Sequence, residues 1–389
     1  MIKALTAFTD EIDDAETAVE DILRQIPIEE NLLANSIGII TCYTDYIETG
    51  AFAAICKALP FSTVGMTTLG NAVSGSTGKM LLTLLLLTSN DVEFSVGLTD
   101  AITEADENPL RGSYQEAAAR LTGEPALMLS FVPLLMNVSG DFFVEAFDNI
   151  TGGIPNFGSL AVDHNEDYHA AYVVCDGEAY PNRCAFVLMS GKIEPKFYIA
   201  SISNEKVFQE KAVVTSVQGN QLQTVNDVPV VDYLQTLGLK KNDDGSIVGI
   251  NSFPFIVDYN DGGAPVVRAV FALTPEGYAV CGGDIPLGAV LGVGSIDADE
   301  IISTTSEVLQ EATGSKQYDC VLMFSCVGRY FSLGYNPDSE IAKVQEILEN
   351  TKVPYQFTYS GGELCPVNNK RGQMIANRSH NDTFVLCAF

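Results

Sequence analysis

The stretch MFSCVGRYFSLG, residues 323–334, sets a thiol, Cys326, and a guanidinium, Arg329, three positions apart at the end of an apolar run. A cysteine beside a fixed positive charge can lose its proton below its ordinary pKa and attack an electrophile, with His380 as base. An arginine can instead grip a carboxylate at two points through parallel N–H···O bonds. Glu363, further along the chain, could then take an ammonium, so Arg329 and Glu363 together suit a zwitterion such as an amino acid. The receptor chemistry is preferred, because no third residue that would orient a nucleophile is evident and cysteines closing apolar strands are commonly packing residues. A plainer alternative stays open, in which Arg329 and Glu363 pair with each other on the surface.

Other chemistries are excluded or weakened by the composition. The 389 residues carry 21 basic and 50 acidic side chains, a formal charge of −29, which repels phosphate backbones and anionic lipid, so nucleic acid is not an expected partner. Nine cysteines without a Cys-x-x-Cys pair fit a reducing compartment, and three histidines (His164, His169, His380) are too few for a histidine-rich metal site. No cofactor is expected. The chain opens MIKALTAFTDEIDDAE, acidic and unlike a signal peptide, and MLLTLLLLT is too short to span a bilayer. A cytoplasmic protein without membrane insertion is expected.

The segment SGSTGKM (74–80) lacks the first glycine of a phosphate loop, with Val73 in its place, and Met80 stands where a hydroxyl is required. It is read as a surface hairpin turn. No Gly-x-Ser-x-Gly and no His-Glu-x-x-His occurs. The pairs Asp13-Asp14 and Asp243-Asp244 are read as solvated caps.

The elements that must position these groups come as one unit repeated three times. Residues 1–89 run strand, helix, strand, helix, a glycine-bearing turn and a final strand, and Ala15, Ala18, Val19, Ile22, Leu23 and Ile26 form one buried helical stripe. Residues 92–191 repeat that order, with Ser113 and Glu116 spaced as a capping box. Residues 289–389 repeat it again, opening on AVLGVGS as first strand, with Asn336 and Pro337 as cap and first-turn proline of a helix. Residues 206–288 form a β-rich insert with hairpins at Gly219-Asn220 and TPEG. The expected fold is mixed α/β, or α+β: two related halves, 1–205 and 206–389, with mixed sheets flanked by helices and built from a strand-helix-strand-helix-strand-strand unit. The turns GMTTLG, FGSLAV and YSGGEL fall at equivalent places, and a ligand cleft is expected where they and the strand ends of the third unit meet.

Three further stretches carry a family resemblance: SCVGR (Cys326, Gly328, Arg329), GELCP (Gly362, Glu363, Leu364, Pro366) and HNDT (His380, Asn381, Thr383). Their order and spacing resemble the carboxy-terminal half of the FIST family, and PFSTVGMTTLGNA and IPNFGSLAVD are similar to turns of its amino-terminal half. Asn71 stands where that family usually has glutamate, and Ser159 where it has glycine. The resemblance implies an intracellular sensory module for amino acids or related carboxylates, working with a histidine kinase, a chemoreceptor or a cyclic-dinucleotide enzyme on another polypeptide. The site is then expected to comprise Arg329 on the carboxylate and Glu363 on the amine. Cys326, Ser360, Gly361, Gly362, His380, Asn381, Thr67, Thr68, Gly70 and Ser159 would line it. The minority alternatives are a hydrolase of small amide or cyclic substrates using Cys326 and His380, and a scaffold with a decayed site.

Overall fold

The computed structural model describes residues 1–165, 168–242, 247–315 and 317–389; the Asp243-Asp244 pair lies outside them. Three sheets share one strand order. In the first unit Ile2–Thr9 and Asn35–Cys42 flank Leu82–Ser89 antiparallel, and Thr63–Thr67 joins Asn35–Cys42 in parallel. The second unit places Val92–Leu98, Ala185–Gly191, Pro125–Val132 and Asn156–Leu160 in the same order. The third does so with Lys196–Ala200, Phe384–Ala388, Val321–Cys326 and Tyr355–Ser360.

The third unit corrects the sequence reading. Its first strand is Lys196–Ala200, not AVLGVGS. The latter supplies Val290–Val293 to the insert, between Phe255–Asp258 and Ala212–Gln218. Both segments are apolar enough to be strands, and only long-range pairing decides which sheet each enters. The β-rich insert therefore interrupts the third unit between its first strand and its first helix, Ala298–Ser315. Its hairpins at Gly219-Asn220 and TPEG form as expected. Arg268 of the insert, fully buried, donates to Asp141 Oδ1 at 2.6 Å and to the Ser379 carbonyl at 2.6 Å, and so ties the insert to the second and third units.

Each unit also lends a hairpin to a neighbour's sheet. Asn71–Val73 and Ser76–Gly78 of the first unit extend the third unit's sheet at Tyr355–Ser360. Val173–Cys175 and Glu178–Tyr180 of the second extend the first at Thr63–Thr67. Glu363–Asn368 and Met374–His380 of the third extend the second at Asn156–Leu160. The exchange closes into a ring. SGSTGKM is thus the tip and end of a lent hairpin that leads on to a strand, in keeping with its reading as a turn.

The inner faces of the three sheets meet in a single core that includes Ile37, Leu85, Leu129, Phe157, Phe324 and Val385. Helices cover the outer faces. Along Leu82–Ser89, Leu85 and Leu87 point into the central core while Leu82, Leu84 and Leu86 pack under the first unit's helices with Ile22 and Phe52. Alternate side chains of a strand leave by opposite faces, so burial on both sides yields the unbroken apolar run seen in the sequence.

Two helix starts differ from expectation. The second unit's helix spans Asn108–Ala118 with Pro109 in its first turn, and Ser113 lies inside it, its hydroxyl donating to the Pro109 carbonyl. A proline needs no backbone donor there, and its fixed φ outweighs the capping-box spacing. The third unit's helix is Ser339–Leu348, so Asn336 and Pro337 form the turn before it, with the Asn336 carbonyl accepting from Ser339 Oγ at 2.8 Å. Among the described residues no helix is long and apolar enough to cross a membrane.

Candidate functional site

The three glycine-bearing turns converge at the carboxy-terminal ends of the paired parallel strands. Thr68 Oγ1 donates to the Tyr359 carbonyl at 2.7 Å, the Tyr359 N–H to the Gly70 carbonyl at 3.0 Å, and the Val162 N–H to the Thr67 carbonyl at 3.3 Å. The Gly361 N–H donates to Leu160 and the Leu160 N–H to Gly362. These bonds explain the burial of Thr67, Thr68, Ser159 and Ser360. Ser159 Oγ donates to Met66 Sδ, and Thr67 Oγ1 accepts from the Tyr172 N–H at 2.8 Å. The hydroxyls expected to line a cleft are instead buried within the junction of the turns. Asn71 belongs to this construction too: its Oδ1 accepts from Thr41 and Thr358 hydroxyls where the first and third units join.

Arg329 does not face a cleft. It sits on the short helix Val327–Ser332, 1% exposed, and its Nε and Nη2 donate to Glu340 Oε1 at 3.0 and 2.7 Å. Nη2 also reaches Thr305 Oγ1 and the Ile301 carbonyl. Glu340, fully buried, accepts further from Thr305 and Ser325 hydroxyls. The carboxylate that the guanidinium grips belongs to the protein. The surface pairing of Arg329 with Glu363 does not occur either.

Glu363 accepts from Ser360 Oγ and Thr383 Oγ1, each at 2.8 Å. Burial pushes its carboxyl pKa well above the usual range, which disfavours the carboxylate that an ammonium would need. Burial likewise raises the Cys326 thiol far above its ordinary value, with the nearby Glu363 and Asp382 carboxyls adding to the effect. The thiolate that a nucleophile requires is thereby disfavoured. His380 donates no proton link to Cys326. Its Nε2 meets the Cys365 carbonyl at 3.1 Å, Nδ1 is buried without a partner, and burial pulls its pKa down to about 3. The expected Cys326–His380 couple is absent because the two strand ends aim these side chains at different partners.

Beside this buried cluster opens a cavity of about 470 Å³. Its walls include Tyr43, His164, Tyr168, Tyr330 and Phe331, with Leu69 from the first turn, Asp163 from the second, and Lys79 at the end of a lent hairpin. His164 stacks on Tyr43 with ring centroids 4.4 Å apart. The Lys79 ammonium lies 5.2 Å from the Tyr330 ring centroid, and the Tyr330 side chain pushes its pKa up. Asp163 accepts from the Asn165 and Ala170 N–H groups and so shapes the loop that carries Tyr168. Tyr168 borders both regions: it lines the cavity, and its phenol pKa is raised by burial and then by the neighbouring Cys326.

Of the expected residues, Cys326, Glu363, Ser360, Gly362 and Asn381 come together, joined by the unexpected Asp382, whereas Arg329 turns towards Glu340. Lys79, Asp163, Tyr168 and Tyr330 escaped the sequence reading. Their signals were faint: Lys79 ends the rejected phosphate-loop match, Asp163 ends the SLAVD stretch, and Tyr330 follows Arg329 directly.

Comparison with protein families adds a decisive observation. The FIST N domain matches residues 36–228, and the FIST C domain matches residues 230–366. The chain belongs to the FIST family. FIST domains are sensory, ligand-binding modules of signal transduction. No curated protein matches the chain. Among solved structures, cyanuric acid hydrolase from A. caulinodans is similar at 8% identity and a TM-score of 0.38, over 100% of this FIST chain and 99% of that one. T. maritima PurL complexed with ATP is similar at 11% identity and a TM-score of 0.20, over 100% of this chain and 71% of the other. Neither likeness is strong enough to bear on activity. Among the described residues no cluster of His, Cys, Asp and Glu is arranged to hold a metal ion.

Proposed function

We propose that this FIST protein is a sensor whose ligand, an amino acid or related small carboxylate, binds in the 470 Å³ cavity beside the three turns. The observation that carries the reading is the pairing of aromatic walls with one cation, Lys79 against Tyr330, at the place where all three units meet. Lys79 takes the carboxylate role that the sequence had suggested for Arg329. The rings of Tyr43, Tyr168 and Phe331 supply apolar contact for the body of the ligand. A ligand touching all three units would favour one arrangement of them over others, and that difference can be passed to a histidine kinase, a chemoreceptor or a cyclic-dinucleotide enzyme. The hydrolase alternative gains no support, since burial disfavours the thiolate of Cys326 and His380, its expected base, meets the Cys365 carbonyl instead.

A thermal-shift screen against amino acids, small peptides and dicarboxylates tests this. A binder at a hundred times its dissociation constant stabilises the protein by about 2.7 kcal/mol. A shift confined to one chemical class and lost in Lys79→Ala supports the sensor. A shift that survives Lys79→Ala places the ligand elsewhere, and a flat screen favours a scaffold.

A further inference from the structure

Two adjacent buried acceptors have no donor. In the segment between the lent hairpin and the last strand, Asn381 Oδ1 and Asp382 Oδ2 lack any hydrogen-bond partner, although their residues are only 5% and 4% exposed. Folded proteins pair nearly all buried polar atoms, so neighbouring orphans mark a place where a donor arrives from outside the chain. Next to them His380 Nδ1 is also buried without a partner, and, against the effect of burial, the Arg329 charge acts to lower the Asp382 pKa. The Ser360 and Thr383 hydroxyls serve Glu363, and the Arg329 Nε and Nη2 serve Glu340, Thr305 and Ile301.

The backbone is shaped around these acceptors. Asp382 holds φ at 51°, a left-handed conformation that a non-glycine residue rarely adopts. Gly328 leaves room for it, since a Cβ there would collide with Asp382 Oδ1. Gly282 does the same for Asn381, whose Oδ1 would stand 2.6 Å from a Cβ. One side chain joins this cluster to the cavity: Tyr168 lines it and lies close enough to Cys326 for the thiol to add to the rise that burial gives its pKa, and Cys326 Sγ and Asp382 Oδ1 both border the space at Gly328.

We infer that Asp382, with Asn381 beside it, is the acceptor for the ammonium of an amino-acid ligand, the role that the sequence suggested for Glu363. The inference rests on the sensor reading above. It adds that the ligand carries an amine as well as a carboxylate, with the amine reaching past Tyr168 into the buried cluster. Burial raises the Asp382 pKa to about 6, so at neutral pH the group is still mainly a carboxylate able to receive a cation.

The test is isothermal titration calorimetry on the full chain with matched probes: leucine and 4-methylpentanoate, glutamate and glutarate, phenylalanine and 3-phenylpropanoate. For the pair that binds, the amino acid is expected to bind at least tenfold more tightly than its des-amino partner. Lys79→Ala weakens both members alike and keeps the ratio. Asp382→Asn brings the ratio to near one, and Asn381→Ala reduces it, which provides a second variant if the first folds poorly. A ratio near one in the wild-type protein, or one unchanged in Asp382→Asn, overturns the inference while the carboxylate sensor stands. Absence of binding by all six probes overturns both.

Discussion

Replacing Arg329 by methionine separates a structural arginine from a receptor arginine. The guanidinium and Glu340 are 1% and 0% exposed, and three donor contacts from Arg329 and two from hydroxyls surround the Glu340 carboxylate and its partners. Removing one member of a buried ion pair leaves the other charge without compensation, at a cost of about 3–5 kcal/mol. Here the Thr305 and Ser325 hydroxyls remain on Glu340, and hydrogen bonds to a charged group contribute roughly 1.5–3 kcal/mol each, so the lower end of that range applies. Arg329→Met should therefore lose about 3 kcal/mol of stability in urea denaturation followed by circular dichroism, and Glu340→Met a similar amount. The double variant Arg329→Met/Glu340→Met leaves no charge behind, so its loss should fall well below the sum of the singles, with a coupling of about 2 kcal/mol between these touching residues. The reasoning is refuted if Arg329→Met loses under about 1 kcal/mol yet abolishes ligand binding. That outcome would return the arginine to the receptor role.

Two further expectations follow from the same buried cluster. The folded-state pKa of Asp382, about 6, lies above the ordinary aspartate value of 3.8, so between these values the folded chain holds a proton that the unfolded chain has released, and stability falls as pH rises through this window. Asp382→Asn keeps the neutral state at every pH, so its stability relative to wild type should increase by roughly 3 kcal/mol from pH 3.5 to pH 7.5; a flat difference would show that the carboxyl is hydrated in the folded protein. Native protein treated with iodoacetamide at pH 8 and analysed by mass spectrometry should show Cys326 labelled no faster than the other eight cysteines, all of which are buried. Selective labelling of Cys326 would revive the nucleophile.

Much of the fold was legible because its signals are local. The unbroken run at Leu82–Ser89, the helical stripe through Ala18 and Ile22, and the hairpin turns at Gly219-Asn220 and TPEG each record burial or turn geometry within a few residues. The equivalence of the three turns was legible for the same reason, since each unit repeats the order of its elements. The first strand of the third unit was not. AVLGVGS and Lys196–Ala200 carry similar strand-forming residues, and the choice between them depends on which reaches Phe384–Ala388.

By itself the sequence determined the kinds of element, their order, and the cluster of chemistry-bearing residues in SCVGR, GELCP and HNDT. Only the tertiary structure decided what each of them touches. Arg329 had two carboxylates within plausible reach along the chain. It meets Glu340 because the short helix after Cys326 turns its side chain towards Thr305 and the helix Ser339–Leu348, while Glu363 departs on a hairpin lent to the second unit's sheet. Spacing limits which groups can meet, but in a packed interior the directions in which side chains leave their elements decide which ones do.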